Sequence, residues 1–284
     1  MKRLIIYVLF LNLFISLTAC KKEMMEYEGR EGVYFAVQHG TSTAAANRWP
    51  YQPFSDVEFV RIGAPDIELP IKVAITGPTK DYDRTFKVAI NQDSTTALPN
   101  QHYEPIKEEW IIPKGAISTI IKIKLKRTPD LEITPVTLGL KLIPTDQLSL
   151  SFPEWDAIPS LNGGTVVPKF DASLHTLRIN DIMVQPAIWR GSIQAGNREG
   201  GVFGAFSREK MEFFIANCGV TYEDFSSDAT MPIVRSILLS RDAAAILKAL
   251  FDAKTPILEK DGRLMWVEGV PWTSNIGVPW VRTP

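Results

Sequence analysis

Apolar and polar residues alternate with a period of two along much of residues 33–184. In the clearest stretch Ile121, Ile123 and Leu125 fall on one side and Lys122, Lys124 and Lys126 on the other. Val136, Leu138, Leu140 and Leu142 repeat the pattern, as do Ile71, Val73 and Ile75, then Phe86, Val88 and Ile90, and finally Leu177 and Ile179. Such alternation suits strands with one buried and one wet face. With 32–37, 56–61 and 109–112 added, about eight short strands are expected, separated by proline and glycine turns at the spacing of an antiparallel sandwich. The proline-rich segment 149–169, which carries Asn162-Gly163-Gly164, reads as a loop inserted before the last strand.

Beyond Pro186 the period changes. Ser207 is placed to cap a helix through Asn217, with Met211, Phe214, Ile215 and Cys218 at helical spacing and Gly219 as its stop. Thr221 to Asp224 reads as a further short turn. A second helix carries Ala243, Ile246, Leu247, Leu250 and Phe251 on one stripe; Ser240 could cap it, and a start near Pro232 stays open. Asp261-Gly262 between two apolar pairs reads as a hairpin turn. The expected fold is mainly β with a smaller α+β part: an immunoglobulin-like sandwich over 32–185, followed by a helical and hairpin region over 186–284.

Residues 1–31 have a different character. Lys2 and Arg3 precede an apolar run from Leu4 to Ala19, the charged and apolar parts of a secretory signal. The run is shorter than the ~20 apolar residues that span a bilayer as a stable helix. Leu17-Thr18-Ala19-Cys20 resembles the lipobox of bacterial lipoproteins. That resemblance implies a signal peptide over 1–19, acyl chains on Cys20 and a tether over 20–31. Two or more acyl chains anchor a protein stably where one does so marginally. No aspartate follows Cys20, so the outer membrane is the expected address.

The chain of 284 residues has 31 basic and 32 acidic residues, a net charge of −1. Cleavage after residue 19 would remove Lys2 and Arg3 and no acid. Without a basic block, nucleic-acid binding has no electrostatic basis. Acylation of Cys20 would leave Cys218 without a partner for a disulfide, and it reads as a small apolar residue on a helix.

Four stretches together carry a family resemblance: YEGREGVYF from Tyr27, HYEPIKEEWIIPKGAISTIIKIKLKRTPDL from His102, INDIMVQPAIW from Ile179 and FGAFSREKMEFFIANCG from Phe203. They are similar to Bacteroidota lipoproteins bearing a domain of unknown function, family number 4843. The sandwich part also resembles Calx-beta modules. The resemblance implies a cell-surface accessory of a Sus-type uptake system, with a SusC/SusD-type transporter as partner and a glycan or other polymer as ligand. It implies no catalytic residues. Lys21-Lys22 precede Glu23 and Glu26, a departure from the acidic export signal of these bacteria, so the periplasmic face stays open.

No zinc, nucleotide or nucleophile-elbow spacing is present, and neither a cofactor nor a metal is expected. His39, His102 and His175 lie far apart in sequence and read as surface or sheet residues. Glu108-Glu109 would point to opposite faces of one strand, which does not suit a glycosidase pair. Asp81 and Asp83 read as solvated turn acids rather than calcium ligands, and Lys122, Lys124 and Lys126 as a wetted strand face. The most suggestive stretch is VPWTSNIGVPW, where Val-Pro-Trp recurs eight residues on. Trp272, Trp280 and Asn275 are the candidate ligand-binding residues, since indole rings stack on sugar C–H faces while amides bond hydroxyls. Burial of both rings over the helices is the competing reading. The expected function is non-catalytic polymer binding; a hydrolase with carboxylates joined only in the fold, or an adhesive subunit, remains the alternative.

Overall fold

A computed structural model describes residues 27–159, 161 and 163–282. Cys20 and the signal-like run lie outside the described residues.

The alternating segments form two sheets. Strands β1 (Gly32–Phe35), β2 (Phe54–Glu58), β3 (Asp66–Ile75), β4 (Arg84–Ile90), β5 (Glu109–Ile112), β6 (Ser118–Lys126), β7 (Val136–Ile143), β8 (Ser149–Leu150) and β11 (Leu174–Asn180) build the sandwich. One sheet runs β6-β3-β1-β8 and the other β2-β11-β7-β4-β5. Their inward residues, among them Val73, Phe86, Ile121, Ile123, Leu138, Leu140 and Leu177, are almost wholly buried and make one core. This is an immunoglobulin-like, mainly β architecture, as the period-two pattern predicts.

Three details depart from the expectation. The sandwich is not purely antiparallel: β1 pairs parallel with β8, and β2 pairs parallel with β11. The expected strand at 56–61 gives way after Glu58 to a helical turn, α1 (Phe59–Ile62), closed by Gly63 at φ 70°. The segment 149–169 is not all loop. It contributes β8, and β9 (Trp155–Asp156) pairs with β10 (Lys169–Phe170). The Trp155 ring there packs among Tyr51, Phe152 and Phe170, so aromatic burial orders a stretch that its prolines mark as irregular.

β6 is an edge strand, and its lysines are paired. Lys122 Nζ meets Glu68 at 3.0 Å and Lys124 Nζ meets Glu104 at 2.8 Å. The stripe is therefore a solvated, acid-matched face.

The second region gathers a separate core around Phe203, Phe214, Phe225, Met231 and Met265. It contains the hairpin of β12 (Gly191–Gln194) and β13 (Arg198–Gly201) and the helices α2 (Arg208–Asn217) and α3 (Ile233–Asp252). Ser207 caps α2, its Oγ accepting from the Lys210 amide at 3.1 Å. Pro232, not Ser240, precedes α3. Ser240 is buried in mid-helix, where its hydroxyl reaches the carbonyls of Val202 and Glu268 at 3.0 and 2.9 Å. Trp189 sits inside this core against Phe203, Phe206, Phe214 and Phe225. One bridge between the regions is Asp181, whose buried carboxylate takes a bidentate pair from Arg127 at 2.7 and 2.9 Å and a third bond from Arg208 on α2; Arg208–Glu132 and Arg61–Glu223 pairs cross as well.

Candidate functional site

Five ionisable side chains beneath the carboxyl-terminal segment set the geometry there. Glu199 on β13 is fully buried. Its oxygens accept from Lys210 Nζ at 3.3 Å, from Arg263 Nε and Nη2 at 3.1 and 2.9 Å, and from the Ala205 amide. Glu259 lies 3.4 Å from Lys210, and Asp261 pairs with Arg263 Nη1 at 2.6 Å. Burial pushes the Lys210 amine below its usual pKa, against the pull of Glu259 and Glu199. Charges so desolvated persist only when closely matched, which ties β13, α2 and the turn around Gly262 into one unit.

That unit carries the segment 272–280. The Ser274 hydroxyl donates to Leu264 O at 2.8 Å, and Ser274 O accepts from the Glu199 amide at 3.0 Å. The Gly277 amide donates to Asp261 Oδ2 at 2.8 Å, and the Trp280 amide to Gly262 O at 2.9 Å. Gly262 holds φ at 83°, the left-handed turn that its place in the hairpin needs. A segment too rich in proline for a regular strand is thus fixed by five backbone and side-chain bonds to its floor, counting that from the Ile276 amide to Asn197 O.

The two Val-Pro-Trp copies end differently. Trp272 stacks on Phe251 of α3, centroids 5.0 Å apart at 28°, and its Nε1 donates to Met265 O at 3.1 Å. Its polar atom and one face are used internally. Trp280 meets Phe251 only edge-on, at 5.9 Å and 63°. It lines a recess of about 310 Å³ with Asn275, Thr273, Ser274 and Arg263. Among the described residues the Asn275 amide, the Thr273 hydroxyl and the Trp280 indole N–H have no hydrogen-bond partner. The structure therefore brings Asn275 and Trp280 together and leaves Trp272 in the packing behind them.

A cleft of about 600 Å³ lies on the sandwich between the β2–β11 edge and the loops at 39–41 and 163–165. Here the chain joins two of its distant histidines: Ser55 Oγ is 3.2 Å from His39 Nε2 and 3.0 Å from His175 Nε2. Burial holds the His175 ring to a pKa of about 3. The other groups are committed to one another. Arg178 makes a bidentate pair with Asp56 at 2.6 and 2.8 Å and covers the Phe54 ring at 3.6 Å, and Gln52 Nε2 donates to Thr165 O at 2.6 Å. A cleft whose aromatic face and charges are already partnered has less to offer a ligand than the Trp280 recess, where an indole N–H, a side-chain amide and a hydroxyl are unpartnered. His102, the third histidine, is buried beside Asp130 at 2.7 Å. No group of three or more His, Cys, Asp or Glu side chains among the described residues is disposed to hold a metal.

Cys218 caps the end of α2, half-buried against the second core, and burial pushes its thiol pKa up. Glu223 and Asp224 open the turn Tyr222–Ser226, where Asp224 and Thr221 cap one another.

Comparison with known proteins bears on the sandwich. Residues 59–161 match the family model of a domain of unknown function, DUF4843. The DUF4843 match runs from α1 through β9, so it includes neither β2 and β11 nor the recess at Trp280. Among solved structures the chain is similar to the apo Calx CBD1 domain, at 12% identity and a TM-score of 0.35, over 55% of this chain and 100% of that one. It is also similar to a protein of unknown function from Bacteroides ovatus, at 14% identity and a TM-score of 0.34, over 52% of this chain and 43% of that one. A presumed carbohydrate-binding protein from Bacteroides ovatus ATCC 8483 matches at 8% identity and a TM-score of 0.34, over 54% of this chain and 37% of that one. The chain thus spans less than half the length of either Bacteroides ovatus protein. No curated protein matches it.

Trp266 escaped the sequence reading. It occupies the second arm of the hairpin turn, where Leu264, Met265 and Val267 are buried and its own ring is half-exposed. An aromatic residue among core positions gives no sequence signal of facing outward.

Proposed function

We propose that this protein is a lipid-anchored outer-membrane lipoprotein that binds a neutral glycan at the Trp280 recess and performs no chemistry on it. The observation that carries the reading is the set of unspent groups around that recess: an indole with its N–H free, a side-chain amide and a hydroxyl, mounted on a segment tied down from below. A sugar offers C–H faces to the ring and hydroxyls to the amide and hydroxyl groups. Arg263 also lines the recess, but Glu199 and Asp261 already neutralise it, so a neutral ligand is favoured over an acidic one.

Binding without hydrolysis is supported by the state of two acids that pair with Arg263, of which Asp261 is engaged by that guanidinium and by the Gly277 amide. Glu199 has both oxygens engaged by Lys210, Arg263 and a backbone amide in the core, which suits a structural anchor and not a reactive carboxylate. The tether through Cys20 would hold the molecule on the cell surface beside a Sus-type transporter and raise the local concentration of captured polymer. The periplasmic face is the other placement a lipidated Cys20 allows.

Affinity gels loaded with starch, cellulose, laminarin, xylan or mannan test the reading. The full chain should be retarded by at least one, and Trp280→Ala should abolish the retardation. Free migration through all of them, or retardation that Trp280→Ala leaves intact, would refute this site. Cys20→Ser, followed by membrane fractionation, tests the anchor: the variant should leave the outer-membrane fraction.

A further inference from the structure

A second recess, of about 470 Å³, adjoins the first and shares Thr273 with it. Its lining includes Arg198, Gly200, Gly201, Trp266 and Glu268. Among the described residues the exposed Arg198 guanidinium and the exposed Glu268 carboxylate have no ion-pair partner, and the half-exposed Trp266 indole N–H has no acceptor.

Gly200 and Gly201 of β13 line the recess, and the close approach of Gln194 and Gly191 on β12 accounts for their missing side chains. Arg198 and Asn275 face each other across an isolated antiparallel bridge, so the polar groups of the two recesses are held in fixed relation. Side by side, the recesses present Trp266, Arg198 and Glu268 on one flank of Thr273 and Trp280 and Asn275 on the other.

We propose that the Trp266 recess is a second saccharide subsite, so that the carboxyl-terminal region grips consecutive units of one neutral polysaccharide chain across Thr273. This rests on the reading of the Trp280 recess as a glycan site. The second unit is neutral because the recess offers one cation and one anion: Arg198 donates to sugar hydroxyls and Glu268 accepts from their neighbours, while a uronate or sulfate ester would meet the unpaired Glu268 carboxylate. Thr273 serves the linkage between units.

The test uses the full chain in detergent and a ladder of one to six units, hydrolysed from whichever of the five neutral polysaccharides the chain retains, with binding followed by calorimetry. Affinity should rise by about tenfold between one unit and the next length that fills both recesses, as one further set of charge-assisted contacts would give. Arg198→Ala and Glu268→Ala, both at exposed positions, should each remove that step and leave single-unit binding unchanged. Trp280→Ala should weaken every length. Equal affinity at all lengths, or a step that survives both substitutions, would overturn the second subsite alone. Retention of none of the five polysaccharides would overturn it together with the site on which it rests.

Discussion

Acid should weaken this fold through His175, a ring on the inner face of β11 that is 1% exposed. Its Nε2 meets the Ser55 hydroxyl at 3.0 Å, its Nδ1 has no partner, and Phe35 packs against it at 5.6 Å. A proton on this ring would be desolvated, and a charged His39 would repel it, so the folded pKa falls to about 3. The unfolded imidazole has a pKa near 6.5. Between pH 6.5 and 3 the unfolded chain therefore binds more protons, and stability falls as pH falls through that window. Each pH unit well inside it costs ~1.4 kcal/mol, which gives a loss of about 2 kcal/mol from His175 between pH 7 and pH 5. Urea unfolding of the wild type and of His175→Leu at the two pH values isolates the effect, because Asp56, His39 and the remaining titratable groups are present in both. The wild type should lose about 2 kcal/mol more than the variant on acidification. Equal losses would refute the assignment of a buried neutral ring.

Other outcomes follow from the same packing. Lys210→Ala leaves Glu199 and Glu259 buried with half their positive charge gone, and chemical denaturation should register a loss of ~3–5 kcal/mol. Asp181→Ala unpairs Arg127 and takes one partner from Arg208, which keeps Glu132 and Glu212; the arginines can partly rehydrate, so a smaller loss of about 2 kcal/mol is expected, measured by the same titration. Trp272→Ala removes a stacked ring and a buried N–H bond and should lower stability by roughly 2 kcal/mol, whereas Trp280→Ala should change it by under about 1 kcal/mol. A reversed order of the two tryptophans would contradict the division of labour between them.

The sandwich was legible because its strands bury one face each: Ile121, Ile123 and Leu125 point inward while their lysine neighbours meet acids in solvent. The α2 cap at Ser207 was legible because an N-cap is local chemistry. Pairings between distant segments were not. The parallel joining of β2 to β11 brings Ser55 to His175 across 120 residues, and no local pattern encodes it. Ser240 looks like a cap because serine often is one, yet here its hydroxyl lies within 3.0 Å of the carbonyls of Val202 and Glu268, which only the tertiary fold brings to it. The VPWTSNIGVPW stretch announced a site without distinguishing its two rings, since only the position of Phe251 decides which ring is stacked. The Trp266 recess was hidden for a related reason: its polar groups come from β13 and from the stretch 266–273, which follows the turn at Gly262 and lies more than sixty residues further along the chain than β13.

The most direct test of the account is equilibrium binding of the full chain to the polysaccharide it retains, measured beside Trp280→Ala with the thermal midpoints of both proteins. The account predicts that the variant unfolds at nearly the wild-type temperature while its affinity falls by about tenfold or more, as the loss of a stacking platform requires. Unchanged affinity in a folded variant would contradict it.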